Sequence, residues 1–546
     1  MIIYFSNHKT VLFAVEELRR LHMQCNINLS IYSSTKIEIP ISSERRIYLM
    51  LEKDFQLEKQ TLATDGFFIT QANGDVYIVG ESERAILYGV YHYAENQLGY
   101  RFVGLKETLQ EPFTPEKIQM KVSNPILRRR GTILETIRDP QYVTQLIDWG
   151  AKNGLNEFFF TFFLWNEIGS YLYRELEKRN YNVTLGGHSL SFLLGEKVNE
   201  LEEGAAFFSK ESQHQEYVIQ RILVICQENP IVRRISLWPE DVGITEKDYA
   251  IFMPNYISFV EELKERLSAN HLDVEVEHIV YNAGLEWNML ERNPNMQPSS
   301  RVDVLYAFWG RNYGESLLNQ EENQLRAYQA LKDWKQQVEY KHTSLTVLEY
   351  YSDHFMLSEL FPPLMQRIKK DMKVYQSLGV EGVLNLIVPV HRKQAESELD
   401  GRYPWKWVQM MNHYFYAGFS WGKDFNLLCD QFFQLFGEHA NSYREFLQQL
   451  EVKLANHTSY NIPLFPARII DPEKVTDLSV VSEIVSYLDH LLAFMAEHSM
   501  RLNPSLLTIQ QDDNYSSFNE EENLLFYLHY LKLTLESVRD KWREKQ

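Results

Sequence analysis

Apolar positions in residues 1–122 follow two different periods. They recur at helical spacing over residues 11–23, and they form two strand-like runs over residues 67–80 on either side of Asn73-Gly74. An Asn-Gly pair between two such runs indicates a tight hairpin. Helical spacing returns over residues 83–98 and stops at Gly99, a residue typical of helix ends. This order predicts a small α+β domain, followed by a proline-rich linker.

Beyond residue 123, short apolar runs alternate with amphipathic helical stretches. Eight strands are predicted, at residues 130–136, 157–163, 182–187, 234–238, 274–280, 302–308, 344–349 and 383–388. Eight β–α repeats predict an α/β fold of the (β/α)8 TIM-barrel type over residues 123–401. A doubly wound open sheet is the alternative, but no glycine-rich phosphate loop follows any strand. Residues 402–546 carry helical patterns and no strand, so an all-helical C-terminal domain is expected.

Charge and composition narrow the function classes. The chain has 55 basic and 74 acidic residues, a formal net charge of −19. Such a chain repels phosphate backbones, so nucleic-acid binding is not expected. No window reaches the length of an apolar membrane span, so we expect no membrane association. Aromatic residues make up 13% of the chain, and carbohydrate surfaces are one reason for such an excess.

The three cysteines, Cys25, Cys226 and Cys429, are far apart and lie in apolar surroundings. We interpret them as buried, reduced thiols in a reducing compartment. The N-terminus reads as a first strand rather than a signal peptide. These features together predict a cytoplasmic protein. The sequence leaves assembly into a homo-oligomer open.

In a barrel of this type, chemistry gathers at the carboxyl ends of the strands. The candidate strand ends carry Glu135, Arg138, Trp165, Asn166, Glu167, His188, Trp238, Glu240, Asp241, Tyr281, Asn282, Trp309, Arg311, Asn312, Glu349, Tyr350, Tyr351, Ser352, Asp353, His354, Asn385, Pro389 and His391. Rings stack on the C–H faces of sugars, and neutral donors and acceptors bind sugar hydroxyls. A glycosidase also needs two carboxyl groups, one protonated and one ionised. Glu240, Asp241 and Glu349 are the leading candidates, with Glu167 and Glu135 behind them.

Each of these residues also has a purely structural interpretation. Carboxylates at a barrel mouth often form only salt bridges, and tryptophans there often only pack on the core. Four histidines, at positions 188, 278, 354 and 391, raise the question of a metal. Their spacing matches no metal-binding motif, so neither a metal nor another cofactor is expected.

The predicted first barrel strand, Arg130-Gly131-Thr132-Ile133-Leu134-Glu135-Thr136-Ile137-Arg138, resembles the start of the barrel in glycoside hydrolase family 20. The resemblance implies that Arg138 holds hydroxyls of the terminal sugar. It also matches Gly186-Gly187-His188 to the family's Pro-Gly-His. Glu240-Asp241 falls on the family's Asp-Glu pair with the order of the acids reversed, so the family's roles do not transfer directly. The stretch from Asp65 to Gly99 resembles the small domain that precedes the barrel in family 20 and in α-glucuronidases.

The C-terminal helices show a second likeness. Trp421-Gly422-Lys423-Asp424, Phe432-Phe433 and Phe436-Gly437-Glu438-His439-Ala440 resemble the helical region of glycoside hydrolase family 163. Members of that family cleave β-linked N-acetylglucosamine in N-glycans. The two likenesses together imply a hydrolase that acts on an oligosaccharide or glycoconjugate.

The strand-end carboxylates predict a retaining glycoside hydrolase, and the two resemblances imply a β-N-acetylhexosaminidase-like enzyme acting on a β-linked glycan that contains N-acetylhexosamine. Glu240 is the expected acid/base and Glu349 the nucleophile or charge stabiliser, and Asp241 is the stand-in if the substrate's own acetamide attacks. The expected substrate-binding residues are Arg138, His188, Trp238, Asn282, Trp287, Trp309, Arg311 and Tyr351. The alternatives are an α-glucuronidase-like or other exo-glycosidase, in which Arg311 pairs with a uronate, and a non-catalytic carbohydrate-binding protein.

Overall fold

A computed structural model provides the coordinates. It describes residues 1–33, 45–56, 61–110, 112–200, 207–209, 213–239, 246–283, 287–289, 299–309, 311–319, 322–357, 360–389, 405–455, 478–498 and 520–545. Within these ranges, no helix combines the length and the apolar character needed to cross a membrane.

The described part of the N-terminal domain contains a six-stranded mixed sheet and two α-helices. Its strands are β1 (Ile2–Tyr4), β2 (Ile31–Ser33), β3 (Ile47–Leu51), β4 (Phe67–Ala72), β5 (Asp75–Gly80) and β8 (Lys121–Ser123), and its helices are α1 (Lys9–Gln24) and α2 (Glu83–Tyr93). The sheet order is β2-β1-β3-β5-β4-β8. The predicted hairpin is confirmed, since Asn73 and Gly74 both adopt positive φ, 53° and 86°, between β4 and β5. A π-helical turn over Ala94–Leu98 extends α2 to Gly99, and β6 (Tyr100–Arg101) pairs with β7 (Thr108–Leu109).

A closed barrel of eight parallel strands follows, as predicted. Its strands are β9 (Arg129–Leu134), β10 (Glu157–Thr161), β11 (Asn182–Gly187), β12 (Val232–Leu237), β13 (Glu275–Ala283), β15 (Asp303–Ala307), β16 (Leu345–Asp353) and β17 (Gly382–Val388). Each strand pairs with its neighbours in the chain, and pairing of β17 with β9 closes the ring. A two-residue strand, β14 (Trp287–Asn288), runs antiparallel to the end of β13. The predicted end of β16 was too early, because the strand continues for four residues beyond Glu349.

Helices surround the barrel. They are α3 (Pro140–Lys152), α4 (Phe162–Lys178), α5 (Leu190–Leu194), α6 (His214–Glu228), α7 (Glu246–Ala269), α8 (Glu322–Lys341), α9 (His354–Leu357), α10 (Met365–Leu378) and α11 (Lys406–Ser420). Short 3-10 turns lie at Glu52–Asp54 and Gly195–Glu200. The hydroxyl of Tyr416 on α11 donates to the Val383 carbonyl at 2.5 Å and accepts the Gly131 N–H at 2.8 Å. The first helix beyond residue 402 therefore covers the barrel wall.

The described residues beyond α11 form four more helices. They are α12 (Phe425–Phe433), α13 (Ala440–Ala455), α14 (Leu478–His498) and α15 (Glu520–Lys545), with a 3-10 segment at Gln434–His439. The Tyr527 hydroxyl on α15 donates to the carbonyls of Leu360 and Phe361, which anchors α15 beside the barrel. Cys226 and Cys429 are buried free thiols, as expected, whereas Cys25 is only half-buried.

The barrel interior can be identified from one ionic layer. The Arg129 guanidinium on β9 donates to Glu157 on β10 and, at 2.7 Å, to Glu277 on β13, on the far side of the ring. It also donates to the Thr346 hydroxyl on β16 at 2.8 Å. Only the barrel axis is close to all four strands, so these side chains point inward. Because side chains alternate along a strand, this layer fixes which residues of each strand face the axis.

A second buried ionic cluster joins the N-terminal domain to the barrel. The Asp65 carboxylate, fully buried, accepts bonds from Arg84 on α2 and from Arg130 on β9, both at 2.8 Å. The Asn156 amide donates to it at 2.7 Å. Burial alone would raise the pKa of Asp65, but the charges of Arg84 and Arg130 lower it to about 2. The aspartate therefore stays ionised at neutral pH and ties the two domains together.

Candidate active site at the barrel mouth

Rings and a histidine meet at the carboxyl ends of the third, fourth and fifth barrel strands. Trp238 follows β12, and its ring meets the His188 ring edge-on with centroids 5.3 Å apart. The ring of Tyr281 on β13 lies 6.3 Å from that of His188. The His188 Nδ1 atom bonds the Pro239 carbonyl at 2.8 Å. The predicted residues His188 and Trp238 therefore lie together, with Tyr281 as a third member.

Glu135 lies close to this group. Gly187, just before His188, has a φ of 69°, which an L side chain rarely adopts. A Cβ atom placed there would lie 2.9 Å from the Thr161 methyl group and 3.5 Å from Oε1 of Glu135. The glycine thus lets the third strand turn into the mouth, with the Glu135 carboxylate of the first strand beside it.

A β-bulge in β16 brings a second carboxylate to the mouth. The register between β16 and β17 shifts between Glu349 and Ser352. The Ser352 hydroxyl donates outward to the Gln409 carbonyl on α11 at 3.3 Å, and Asn385 donates to it at 2.9 Å. Tyr351 and Ser352 therefore both face the helices, and the next residue, Asp353, returns to the inner face. Without the bulge, simple alternation would turn Asp353 away from the axis.

The electrostatics of Tyr350 connect the two carboxylates. Tyr350 precedes the bulge, faces inward and is buried. Burial, then the neighbouring Tyr281 and the charge of Asp353, with a smaller contribution from Glu135, raise its pKa well above the ordinary tyrosine value. Tyr350 therefore stays protonated between these groups and can donate a hydrogen bond. Asp353 is 2% exposed, and its Oδ1 accepts the Phe355 N–H at 2.8 Å.

Two more predicted residues lie on the rim. Trp309 follows β15 and contacts the Phe355 ring, with the centroids 6.3 Å apart. Arg138 follows β9, is exposed, and its Nε donates to Glu167 in the second turn of α4 at 2.8 Å. Both lie at strand ends on the same side of the barrel as His188 and Trp238.

Four predicted residues have side chains that fall beyond the described part of the chain. Glu240 and Asp241 lie outside the described residues altogether, directly after Pro239. Asn282 and Trp287 are described only as backbone, where β13 and β14 pair Asn282 with Asn288 and Ala283 with Trp287. His391, one of the histidines considered for a metal, is also outside. Across the described ranges, no group of three or more His, Cys, Asp or Glu side chains is arranged to hold a metal ion.

Glu349 does not lie in the mouth. Its carboxylate accepts bonds from Arg311 at 2.5 Å, from the Tyr313 hydroxyl at 2.6 Å and from the Tyr375 hydroxyl on α10. Arg311 also bonds Asp371 on α10 at 2.7 Å. The cluster is buried between the outer face of the barrel and α10, so its geometry opposes the predicted nucleophile role of Glu349.

Arg311 and Tyr351 require the same correction. Arg311 is 1% exposed and both of its terminal nitrogens are engaged by carboxylates, so it is not placed to receive a uronate. Tyr351 is fully buried and its hydroxyl donates to Asp371 at 3.1 Å. The physical reason for these corrections is the alternation of side chains along a strand. Glu349 lies one position from inward-facing Tyr350 and therefore points to the opposite side of β16.

Sequence reasoning placed Tyr281, Tyr350, Asp353 and Glu135 at strand ends but gave them no leading role. The inward parity of Tyr350 follows from the sequence once Thr346 is known to face the axis. The inward orientation of Asp353 depends on the bulge. The sequence gives no strong local signal for this bulge, because no glycine lies there.

The comparisons with known proteins agree with this architecture. A family model described as the glycosyl hydrolase family 67 N-terminus matches residues 2–93. No curated protein matches the chain in sequence. The family model covers only the N-terminal domain, and the fold of the chain is a (β/α)8 barrel preceded by a small α+β domain. The resemblances to families 20 and 163 are not confirmed, since the family model that matches is that of family 67.

Three solved structures share this fold over nearly the whole chain. A GH138 enzyme targeting pectin rhamnogalacturonan II has a TM-score of 0.63 at 12% identity, covering 100% of this chain and 70% of that chain. BtGH115A, a 4-O-methyl-α-glucuronidase of family GH115 with specificity for decorated arabinogalactans, has a TM-score of 0.61 at 10% identity, covering 100% and 75%. CpGH84D has a TM-score of 0.54 at 13% identity, covering 98% and 90%. At these identities the likeness shows the shared fold.

Proposed function

We propose that the protein is a glycoside hydrolase whose active site is the barrel mouth. The observation that carries the proposal is the bulge in β16, which turns Asp353 inward, so that the charges of Asp353 and Glu135 both act on Tyr350. Two carboxylates among aromatic rings are what hydrolysis of a glycosidic bond requires. His188, Trp238, Trp309 and Arg138 supply stacking surfaces and hydrogen bonds for the sugar.

The catalytic roles follow from position. We assign Asp353 the place predicted for Glu349, as nucleophile or charge stabiliser, because it lies at the true end of the seventh strand. Glu240 remains the proposed acid/base, with Asp241 as its stand-in. Glu135, next to the third-strand turn, is the second candidate acid. The Tyr350 hydroxyl then donates to whichever carboxylate is ionised, which stabilises its charge.

In a catalytic carboxyl pair of this kind, one carboxyl group is protonated and the other is ionised. The acid must hold a proton near neutral pH to give it to the leaving oxygen, and the nucleophile must stay ionised. A separation of about 5–5.5 Å leads to retention of the anomeric configuration, and about 6.5–9.5 Å leads to inversion. We propose the retaining course, in which a glycosyl–enzyme ester forms on the nucleophile and water then hydrolyses it.

We propose a β-linked glycan that contains N-acetylhexosamine as the substrate, with substrate-binding contributions from Asn282 and Trp287 as well. The comparisons favour a second candidate, an α-glucuronoside. The family 67 model covers residues 2–93, and the BtGH115A structure at a TM-score of 0.61 is described as a glucuronidase. Arg138, which pairs with Glu167, is then a cation at the rim, whereas Arg311 is buried.

The deciding experiment compares aryl β-N-acetylhexosaminides with an α-glucuronic acid-capped oligosaccharide. Hydrolysis of only one of them identifies the substrate class, and NMR of the first-formed anomer tests retention. Activity should vanish in Asp353→Asn and persist in Glu349→Gln. If neither substrate class nor a wider aryl-glycoside panel is hydrolysed while sugars still bind, the protein is a non-catalytic carbohydrate-binding protein.

We also propose a cytoplasmic location, because all three cysteines are free thiols and burial raises the pKa of Cys226 and of Cys429 to about 12. Thiols of this kind are unreactive and suit a reducing compartment. Fractionation of cells that produce the full-length protein tests this, and recovery from the medium would contradict it.

A further inference from the structure

A groove of about 800 Å³ lies on the outer surface of the barrel, between α4 and α6. Its lining begins at Phe162, the residue that directly follows β10, and includes residues of α4 down to Arg174. Twelve helical steps span about 18 Å, the length of a short oligosaccharide rather than of a single sugar. The groove is separate from the mouth, because α4 and α6 pack on the outside of the strands.

Aromatic rings form much of the groove. Trp165 and Tyr173 come from α4, Phe192 from α5 and Tyr217 from α6. Tyr217 is 36% exposed, and the Trp165 indole is fixed by its bond to Asn229 at 3.2 Å. Rings held in place in an open groove are suited to stacking on the apolar faces of sugars.

The groove also carries fixed positive charge. Nη1 of Arg221 donates to the carbonyls of Phe192 at 3.0 Å and Leu193 at 2.5 Å, and its guanidinium lies over the Phe192 and Tyr217 rings. Among the described residues, its remaining donors have no partner. Arg174 is exposed on the opposite wall and likewise has no bond or ion pair within the described ranges.

The balance of charge indicates an acidic ligand. Arg174 and Arg221 line the groove against one carboxylate, Glu228, and the Lys197 ammonium lies 4.4 Å from the centroid of the Tyr217 ring. This local excess of cations contrasts with the net charge of −19 of the whole chain. Guanidinium groups bind carboxylates in a planar, two-bond geometry. Amide groups of Asn166 and Gln220 add donors and acceptors for hydroxyls.

We propose that this groove binds an acidic, uronate-containing oligosaccharide. Rings would stack on the sugar faces, and Arg174 and Arg221 would pair with the carboxylates. An extended acidic peptide fits less well, because both walls are helices and offer no strand edge for it to pair with. The proposal goes beyond hydrolysis at the mouth and does not depend on it.

Calorimetric titration of the full chain with a galacturonate hexamer and with a hyaluronan hexasaccharide tests the proposal. We expect at least one of them to bind, and its methyl-esterified form to bind at least about tenfold more weakly. Tyr217→Ala and Arg174→Gln should each weaken binding by about tenfold, equal to about 1.4 kcal/mol, since each removes a direct contact with the sugar. Absence of binding by both acidic probes, or unchanged binding in both variants, would overturn it.

Matched controls separate the groove from the mouth and from self-association. Tyr171→Ala removes a tyrosine of α4 that is 68% exposed but does not line the groove, and Arg19→Gln removes an exposed arginine of α1. Both variants should bind the oligosaccharide like the wild type.

Hydrolysis of any aryl glycoside should be unchanged in Tyr217→Ala. Loss of hexasaccharide binding in Asp353→Asn but not in Tyr217→Ala would place the ligand in the mouth and refute the groove. A monomer–dimer equilibrium abolished by Tyr217→Ala would also refute it, by showing that a second copy covers the groove.

Discussion

The two ends of the barrel use charge in opposite ways. At the amino ends of the strands, Arg129 is surrounded by Glu157, Glu277 and Thr346, and the Arg234 guanidinium joins Glu277 to Asp303. At the carboxyl ends, Glu135 and Asp353 lie among tyrosines and a histidine. Buried charges that bond one another stabilise the barrel but offer nothing to a ligand. The carboxylates beside rings at the carboxyl ends are the ones that we propose for catalysis.

The largest effect should come from breaking the ionic layer. Arg129→Met leaves two buried carboxylates, Glu157 and Glu277, without their main cation, and we expect a loss of about 3–5 kcal/mol in the free energy of unfolding. Urea unfolding measures it. The control is Arg128→Met at the adjacent position, where the side chain is 66% exposed and pairs with Glu381 at 3.2 Å. Such a pair is worth about 0–1 kcal/mol. Equal losses in the two variants would show that the layer does not hold the barrel together.

A substitution in the mouth should have the opposite effect, reducing activity while leaving the free energy of unfolding nearly unchanged. Asp353→Asn keeps an oxygen that can accept the Phe355 N–H, so the unfolding free energy should hardly change. We expect kcat/KM to fall by about 100-fold or more, because a carboxylate that acts directly on the bond contributes at least that much. Steady-state kinetics on the best aryl glycoside measures it. Nearly normal activity would exclude Asp353 from the reaction and return the role to the carboxylates after the fourth strand.

Glu349, on the outer face of β16, provides a substitution to compare with Asp353→Asn on the inner face. Glu349→Gln removes the charge that holds Arg311, Tyr313 and Tyr375, and hydrogen bonds to a charged group are worth about 1.5–3 kcal/mol each. We expect a loss of about 2–3 kcal/mol in the unfolding free energy, with kcat/KM per folded molecule within a few-fold of the wild type. A correctly folded but inactive Glu349→Gln protein would restore it as the nucleophile.

Glu349 and Asp353 show which features of the barrel the sequence predicts and which it does not. Period and spacing were enough for the eight strands, since buried parallel strands form continuous apolar runs. Because both faces of such a strand are apolar, the sequence does not indicate which face points inward. Glu349 and Asp353 are four residues apart, so simple alternation puts them on the same face. The bulge alone separates them, and it forms through contacts of Ser352 with Asn385 and α11 that are distant in sequence.

The third-strand motif was more informative. Gly186-Gly187-His188 fixes its geometry locally, because Gly187 at a φ of 69° directs the chain into the mouth. His188 therefore lies where the sequence placed it. Arg311 was misplaced because an arginine shortly after a strand gives no sign of whether its partner is a ligand or, as here, the buried pair Glu349 and Asp371.

Acid should weaken the domain junction. Asp65 has a pKa of about 2 in the folded chain, below the 3.8 of an ordinary aspartate, so its contribution is complete above about pH 5 and is lost as the pH falls towards 2. The difference corresponds to about 2 kcal/mol. Asp65→Asn suits the positive φ of 66° at this position and should flatten the fall in unfolding free energy between pH 5 and 2. A variant with the same pH dependence as the wild type would show that other carboxylates control acid stability.

The smallest effect concerns Arg138, on the rim of the mouth. Its side chain is 46% exposed and its partner Glu167 is 42% exposed, so their ion pair adds little to stability. Arg138→Ala should therefore leave the melting temperature unchanged. If Arg138 also holds a sugar hydroxyl or carboxylate in the transition state, kcat/KM should fall by about tenfold, equal to about 1.4 kcal/mol. Glu167→Gln separates the two roles, because it removes the ion pair but keeps the arginine, and kcat/KM should then stay within about threefold of the wild type. If both variants lose activity equally, Arg138 acts by ordering α4 rather than by touching the sugar.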